Sequence, residues 1–404
     1  MSTIFDYLDH VTYDSIYDRP FKELDVLALT ELTYLPFDRI VPQGDTTNIE
    51  VRLSDATELV DRTTNFTVTN QHLQLVDKLA TSKRFRNVKL LNYVDEYDPD
   101  VQKQFAAMTY RLTMDVYLVV FRGTDDTLIG WKEDFHMTYM DQIPAQKMAA
   151  RYLQKALENL PGNFILTGHS KGGNLASYAA SQMEASLQDR IEAIYSYDSP
   201  GLNHSVTESD GYQTVVERMK RYLPQNSIVG MLLDTPKEAR IVKSSAIGGF
   251  AQHDTFSWKI KGDSFLLLDT LDAESLQIDK TFKNWVSTVS DEELKDFFDL
   301  FFGLILDAGI QSVDELSNVE NFNKVLDILK NAQSLTDQER DMLLRLSKLL
   351  LDMRVQSWKD DINLPKPTAI GKNIRENLSR WSKQLPFGQS ETDKKEDTAA
   401  EVQE

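Results

Sequence analysis

Gly168-His169-Ser170-Lys171-Gly172-Gly173 is the stretch that most directly predicts how this chain folds. The apolar run Phe164-Ile165-Leu166-Thr167 precedes it, and a segment rich in small residues follows at 173–185. Glycines two places before and after a serine let the backbone turn sharply from a strand into a helix and hold the serine hydroxyl exposed. The pattern is typical of a nucleophile elbow. The alternative is a tight turn that only resembles an elbow and whose serine has no catalytic role.

Strand and helix patterns alternate on both sides of this stretch. Helical periodicity within 21–41 predicts a helix that ends near Pro36, and it predicts further helices at 70–82, 143–160 and 173–185. Apolar runs predict strands at 88–93, 104–110, 115–121 and 191–197. The run Val116-Tyr117-Leu118-Val119-Val120-Phe121 is continuously apolar, as expected for a strand that is buried on both faces. This alternation of strands with long helices predicts an α/β fold, with the doubly wound, mainly parallel sheet of an α/β-hydrolase.

The chain has 404 residues, of which 41% are hydrophobic, and is long enough for one large domain and a smaller one. We assign 1–262 to the α/β-hydrolase domain. Beyond it the pattern changes to long amphipathic helices, and capping boxes at Ser290-Asp291-Glu292-Glu293 and Thr336-Asp337-Gln338-Glu339 mark helix starts. We therefore assign 263–387 to a helical module. The acidic segment 388–404 lacks periodicity and is expected to be a disordered tail.

Composition excludes several kinds of site and partner. The chain has no cysteine, which excludes disulfides, thiolate metal sites and cysteine nucleophiles. Its net charge of −19 repels a phosphate backbone, so we expect no nucleic-acid partner. The apolar segment 297–306 is too short to span a bilayer and is expected to be a buried helix. Because no secretory signal is visible, we expect a cytoplasmic location.

Several further segments carry a family resemblance. Phe121-Arg122-Gly123-Thr124, and Trp131 followed by Asp134 one turn later, resemble the fingerprint of class 3 lipases together with the stretch at Ser170. The chain resembles more closely the Mbeg-like proteins, a family of uncharacterised bacterial α/β-hydrolases, through three segments: Tyr197-Asp198-Ser199-Pro200-Gly201, Ser227-Ile228-Val229-Gly230 and Gln252-His253-Asp254. The resemblance covers residues 21–260. It implies the fold and the serine, and it does not indicate a substrate.

A serine hydroxyl is a weak nucleophile at neutral pH, so Ser170 needs a histidine to accept its proton and an acid to orient that histidine. In α/β-hydrolases the order along the chain is serine, acid, histidine. Only His204 and His253 follow Ser170 in the chain. His169 is the direct neighbour of Ser170 and is expected to point elsewhere. His253 lies in a loop beyond the last predicted strands and is the candidate base.

Two aspartates are candidates for the acid. Asp198 directly follows the predicted strand 191–197, from where its carboxylate can reach the loop of His253. Asp234 is the alternative acid. The class 3 pattern places its aspartate one strand later, where this chain has Asn226-Ser227-Ile228-Val229 and no carboxylate in register. We therefore prefer Asp198.

Acyl transfer also needs hydrogen-bond donors for the developing oxyanion, and two positions offer them. One is the backbone amide of Lys171, the residue after the serine. The other is the loop after strand 115–121, where Thr124 and the glycine before it offer a hydroxyl and an amide. Thr124 has the alternative role of capping the next helix. Trp131 and Phe135 are expected either to form a lid over this oxyanion hole or to belong to the core.

Together these residues predict a serine hydrolase that cleaves a carboxylic ester, of a small molecule or a lipid, through an acyl-serine intermediate. No metal or cofactor is expected. The alternative is a catalytically weak, lipase-like scaffold that serves as a binding or interaction protein. Outside this domain, 366–385 combines apolar residues at near-helical spacing with five basic residues and one glutamate. We expect this basic segment to dock on the acidic body of the protein or on a partner, with peripheral contact to an anionic membrane surface as the alternative.

Overall fold

A computed structural model of the protein describes residues 2–42, 49–233, 238–247, 251–273, 275–276, 290–312, 315, 320–321 and 324–325. The helices in this part are α1 Ile4–Val11, α2 Glu23–Leu32, α3 Leu53–Leu59, α4 Asn70–Thr81, α5 Leu128–His136, α6 Pro144–Asn159, α7 Lys171–Ser181, α8 Ala185–Gln188, α9 His204–Thr207, α10 Asp210–Val215 and α11 Asp291–Asp307. The strands are β1 Val51–Arg52, β2 Lys89–Asp98, β3 Lys103–Arg111, β4 Val116–Phe121, β5 Asn163–His169, β6 Ile191–Tyr197, β7 Met219–Pro224, β8 Ala239–Val242, β9 Ile260–Lys261, β10 Ser264–Phe265 and β11 Leu267–Leu268. Among these helices, none has the length and apolar character needed to cross a membrane.

Most of the strands form one mixed sheet in the order β1-β2-β3-β4-β5-β6-β7-β8-β11. Strands β4 to β8 are parallel to one another. Strands β1, β2 and β3 add an antiparallel edge beside β4, and β11 pairs antiparallel with β8 at the opposite edge. Helices connect β4 to β5, β5 to β6 and β6 to β7, as crossovers between parallel strands require. The carboxyl ends of these strands therefore meet at one edge of the sheet.

Helices cover both faces of the sheet and create two apolar cores. One core packs α1, α2 and α4 against one face, and the other packs α6, α7 and α10 against the opposite face. Side chains of β4 alternate between the cores, since Leu118 and Val120 lie in the first and Val119 and Phe121 in the second. This alternation is the period of two of a strand buried on both faces. A central parallel sheet covered on both faces, with a strand-to-helix turn at Ser170, is the α/β-hydrolase fold.

The predicted elements agree with the structure unevenly. The strand predicted over 191–197 coincides with β6, and the helix predicted over 70–82 ends one residue early in α4. The helix-like pattern over 21–41, predicted to end near Pro36, extends too far, because α2 begins at Glu23 and ends at Leu32. The backbone turns there ahead of Pro36, because proline disfavours a helical conformation in the residue before it. The sheet is also mixed rather than mainly parallel, since its first three strands are antiparallel.

Helix α11 confirms the buried helix expected at 297–306 and packs on α5. Phe298 of α11 stacks on Phe135 of α5 with ring centroids 4.8 Å apart. Beside this contact, Lys132 Nζ lies 2.6 Å from a carboxylate oxygen of Asp299. Phe135 therefore belongs to the core between these two helices and does not form a lid.

The expected domain division is only partly covered by the described residues. Helix α11 begins with the expected capping box, in which Ser290 and Glu293 bond to each other's backbone amides. The second capping box, at 336–339, and the segments 366–385 and 388–404 lie outside the described residues. The boundaries at 262 and 387 stay predictions.

Candidate active site

Ser170 occupies the turn between β5 and α7, as the glycine pattern predicts. Its backbone lies at φ 57° and ψ −135°. A residue with a side chain rarely adopts this combination, which costs on the order of 1–3 kcal/mol. Close packing beneath the turn maintains it: a Cβ at Gly168 would lie 2.0 Å from a backbone carbon of Gly172, and a Cβ at Gly172 would lie 2.1 Å from the Phe121 carbonyl oxygen. The turn needs glycine at both places.

Asp198 and His253 come together beside this turn. Asp198 follows β6 with a positive φ of 41°, which aspartate tolerates better than most residues. Its fully buried carboxylate faces the 3-10 turn Ala251–His253, where Oδ2 lies 2.7 Å from His253 Nδ1. Because an ionised carboxylate only accepts hydrogen bonds, Nδ1 carries the proton in the neutral imidazole and Nε2 does not. This tautomer leaves Nε2 as the basic nitrogen.

Two other donors hold the Asp198 carboxylate. Its Oδ1 atom accepts hydrogen bonds from the Ser227 hydroxyl and from the Gly230 backbone N–H, the latter at 3.2 Å. Ser227 lies after β7, where the class 3 pattern has its aspartate. This chain therefore has a hydroxyl at that position, and the hydroxyl orients Asp198.

His169 does not point away from the site, contrary to the expectation from the sequence. Its ring packs on the His253 ring with centroids 4.4 Å apart, and its Nε2 atom lies 3.0 Å from the His253 carbonyl oxygen. Burial lowers the pKa of His169 to about 4, and the neighbouring His253 acts in the same direction. The neutral ring donates from Nε2 to the carbonyl. Within the described residues the Ser170 hydroxyl makes no hydrogen bond to the His253 imidazole. His169 connects the two residues, because it directly precedes Ser170 and its ring bonds to the His253 carbonyl oxygen.

A buried polar cluster behind His169 was not expected from the sequence. It centres on Glu31 of α2, whose carboxylate accepts a hydrogen bond from the Thr255 hydroxyl at 2.9 Å. The same carboxylate lies 3.3 Å from His72 Nε2 and 3.6 Å from His169 Nδ1. Burial raises the pKa of Glu31, but the histidines and Thr255 outweigh burial and lower it overall. Since Thr255 comes two residues after His253, the cluster ties the loop of His253 to α2.

The loop after β4 lies against Ser170. A Cβ placed at Gly123 would be 3.1 Å from the Cβ of Ser170, which puts the next residue, Thr124, beside the turn. The Thr124 hydroxyl donates a hydrogen bond to Asp134 of α5. Thr127 caps α5 instead, because its hydroxyl accepts from the backbone N–H three residues on, at 3.1 Å. The alternative role of Thr124 as the helix cap is therefore wrong.

Lys171 is the first residue of α7. Its backbone N–H is one of the amides that a helix N-terminus leaves without an intrahelical acceptor. Such amides favour developing negative charge. The Lys171 side chain, only 1% exposed, runs under the turn toward α5.

The expected site residues form two groups that meet at the carboxyl ends of β4, β5 and β6: Ser170, Thr124 and Lys171 around the turn, and Asp198 with His253. The alternative acid Asp234 lies outside the described residues. In the described part of the chain, no cluster of three or more histidine, aspartate or glutamate side chains has the arrangement needed to hold a metal ion.

The model of the Mbeg1-like family matches residues 79–303 of the chain. No curated protein matches it. The chain is similar to solved structures that include a mutant form of MDLA from Penicillium cyclopium, with 13% identity over 69% of this chain and 92% of that one and a TM-score of 0.37. A lipase from Rhizopus microsporus var. chinensis is 15% identical over 50% of this chain and 76% of its own, with a TM-score of 0.32.

The family match covers the segments described above. It spans more than half of the chain and contains the turn at Ser170, the loop with Thr124, and both Asp198 and His253. The chain belongs to the Mbeg1-like family.

Proposed function

We propose that this protein is a serine hydrolase that cleaves carboxylic esters through an acyl-serine intermediate. One observation carries the proposal: an aspartate–histidine pair with a contact of 2.7 Å lies beside a serine held in a strained strand-to-helix turn. A buried carboxylate on one imidazole nitrogen is the arrangement that makes the other nitrogen a general base. His169 packs on the His253 ring and directly precedes Ser170, so its contact places the proposed base next to the proposed nucleophile.

The proposed reaction begins with attack of Ser170 Oγ on the ester carbonyl carbon. The hydroxyl proton passes to His253 Nε2, while Asp198 keeps the Nδ1 proton and stabilises the imidazolium. The imidazolium then gives the proton to the departing alkoxide, and the acyl group stays on Ser170. Water repeats the sequence, with His253 as base, and releases the carboxylic acid. Each step balances without a metal or a redox partner.

The oxyanion of each tetrahedral intermediate needs two donors. Backbone amides of Lys171 and Thr124 supply them in this proposal. The Thr124 hydroxyl proton is engaged by Asp134, so the backbone N–H is the donor that Thr124 offers. Both amides lie on segments that border Ser170, one at the start of α7 and one in the loop after β4.

A fluorophosphonate probe and a short-chain nitrophenyl ester test the proposal together. We expect the probe to label Ser170 in the wild-type protein, and Ser170→Ala to abolish both labelling and ester hydrolysis. Ser177→Ala is the matched control, because Ser177 lies on α7 and both serines are 9% exposed. Labelling that survives in Ser170→Ala excludes this serine as the nucleophile.

A wild-type protein that neither reacts with the probe nor hydrolyses any ester in a panel of chain lengths contradicts the enzyme proposal. Its fold and site geometry then serve a lipase-like scaffold for binding, which is the alternative function. A panel of acyl-chain lengths also separates a preference for small esters from a preference for lipid esters.

A further inference from the structure

Lys171 is a cation inside the protein, and its ammonium group donates hydrogen bonds to two acceptors and forms an ion pair with a second carboxylate. Its Nζ atom lies 3.1 Å from Glu133 Oε2, 3.5 Å from Asp134 Oδ1 and 3.1 Å from the Gln104 carbonyl oxygen. Glu133 is also fully buried and has two other donors, the backbone amides of Gln104 at 3.1 Å and Ala145 at 2.8 Å. Glu133 therefore stays anchored even without the lysine.

Asp134 depends more on Lys171. Its Oδ2 atom accepts from the Thr124 hydroxyl, and within the described residues Lys171 is the one cation near its Oδ1 atom. Burial outweighs Lys171 and the Thr124 hydroxyl, which both lower the pKa of Asp134, and raises it to about 6. The ammonium group thus favours the ionised carboxylate, which accepts the Thr124 hydroxyl proton more strongly than a protonated carboxyl group does.

A buried ion pair is weak evidence of stability, because desolvation offsets much of the attraction, and replacing both partners by apolar side chains of similar volume is often neutral or stabilising. Replacing Lys171 alone by an apolar side chain would instead leave the buried Glu133 and the partly buried Asp134 without their cation, which is destabilising. The lysine differs from an apolar side chain in one further respect that bears on the site: it fixes the charge of the carboxylate that holds Thr124.

We propose that Lys171 is a positioning residue for the oxyanion hole, which acts through Asp134 to hold Thr124 in the orientation that directs its backbone N–H at the oxyanion. This inference rests on the proposed function. Lys171 thereby contributes twice: its own backbone N–H is one donor, and its side chain arranges the other. The three residues form one connected path, from the ammonium group to the Asp134 carboxylate to the Thr124 hydroxyl.

The pH dependence of this path involves the charged and titratable groups of the described elements around it. These are Tyr34 after α2, Asp125 after β4, Glu133 and Lys132 on α5, and Asp299 on α11. Lys132 is paired with Asp299 at 2.6 Å. Glu133 raises the pKa of Asp134, so it cannot replace the effect of Lys171.

Lys171→Met tests the proposal, because it keeps the backbone N–H and the approximate volume and removes the charge. We expect kcat for a nitrophenyl ester to fall by about 10- to 100-fold near neutral pH, less than the ~10²–10³-fold of a lost oxyanion donor, with KM within about twofold of wild type. Lys132→Met is the matched control, since Lys132 is also a buried lysine and is paired with an aspartate, the partly exposed Asp299 of α11. We expect its kcat to stay within about twofold of wild type.

Two measurements distinguish positioning from a structural role. The loss in Lys171→Met should shrink as pH rises, because Asp134 then ionises without the cation. In an Asp134→Asn background, Lys171→Met should have little additional effect, since residues on one path are not additive. If Lys171→Met does not fold, the double variant K171M/E133Q keeps the buried charge balanced and serves in the same comparisons.

The proposal is contradicted if Lys171→Met, or the double variant, keeps wild-type kcat while Ser170 still reacts with the fluorophosphonate. It is equally contradicted if the loss is the same at every pH, or persists undiminished in the Asp134→Asn background. Absence of Ser170 labelling in the wild-type protein is a different result, because it contradicts the proposed function itself.

Discussion

Among the described residues, the Asp198 carboxylate accepts hydrogen bonds from the His253 imidazole and from two further donors. These two donors, the Ser227 hydroxyl and the Gly230 amide, fix its orientation. Asp198→Asn keeps the shape of the side chain but presents an amide to His253, which favours the tautomer with its proton on Nε2. We expect kcat for an ester substrate to fall by roughly 10³- to 10⁴-fold in steady-state kinetics, because that tautomer cannot accept the serine proton.

Ser227→Ala is the matched variant for this residue, because it removes one hydrogen bond to the carboxylate and leaves the charge in place. We expect a loss of about 10-fold in kcat, as a hydrogen bond to a charged group is worth about 1.5–3 kcal/mol and the Gly230 amide remains. If Asp198→Asn is no slower than Ser227→Ala, the acid of the site lies elsewhere, and Asp234 becomes the candidate.

His136 is a buried residue of α5 whose titration we expect to affect stability. Burial lowers its pKa to about 4, with Lys132 acting in the same direction, and its Nε2 atom lacks a hydrogen-bond partner within the described residues. A folded pKa below the unfolded value means that the unfolded chain binds the proton first. Stability from the neutral ring is therefore present above about pH 6.5 and is lost as pH falls toward about 4.

Removing this group should remove the pH dependence that it causes. His136→Phe keeps a ring beside Tyr139, which lies 5.4 Å from His136 between centroids. As pH falls from about 7 to about 5, we expect the free energy of unfolding of wild type to decrease by about 2 kcal/mol more than that of this variant, measured by urea denaturation. His204→Phe is the control, since the His204 side chain is 71% exposed. Equal pH dependence in wild type and His136→Phe contradicts the assignment.

At the scale of elements, α11 is expected to stabilise the protein through one face. Phe298 is fully buried and stacks on Phe135 of α5, whereas Leu300 on the same helix is 38% exposed. Phe298→Ala should lower the free energy of unfolding by about 3–5 kcal/mol, because it leaves a cavity between the two helices. Leu300→Ala should change it by less than about 0.5 kcal/mol in the same denaturation experiment. Similar losses in both variants contradict this packing.

The accuracy of the sequence predictions follows from how local their signals are. Strand β6 and helix α4 are predicted nearly residue by residue, since each has a clear apolar pattern and defined ends. The end of α2 is missed because Leu35 continues the apolar periodicity and is fully buried although it lies in a turn. The antiparallel direction of β2 and β3 is also missed. It depends on the pairing of β2 with β3 and of β3 with β4, and periodicity does not identify which strands pair.

For the candidate site too, the predictions succeed where the signal is local and fail where it is not. The turn at Ser170 and the nearness of Asp198 and His253 follow from glycine spacing and chain order, which are visible in the sequence. The roles of Glu31 and of the Lys171 side chain depend on contacts between distant elements, so no local pattern indicates them. The sequence does carry a weaker indication for both residues. Each is an ionisable residue within a segment that is predicted to be buried, and a buried ionisable group requires a charged or polar partner.

At the scale of the whole molecule, the net charge of −19 bears on the basic segment 366–385, which lies outside the described residues. Its five basic residues and one glutamate contrast with the acidic remainder of the chain. An anionic vesicle and the protein's own surface compete for these charges. The acidic surface is always present at high local concentration, and it also repels an anionic membrane.

We therefore expect the full-length protein to co-sediment no better with anionic vesicles than with neutral ones at about 0.1 M salt, where charge interactions are screened over about 10 Å. A variant with Lys372, Arg375 and Arg380 changed to glutamate is the control, and its co-sedimentation should be unchanged. Binding that is selective for anionic vesicles, weakens as salt rises and disappears in this variant would establish the alternative, because an interfacial basic helix binds anionic lipid in that manner.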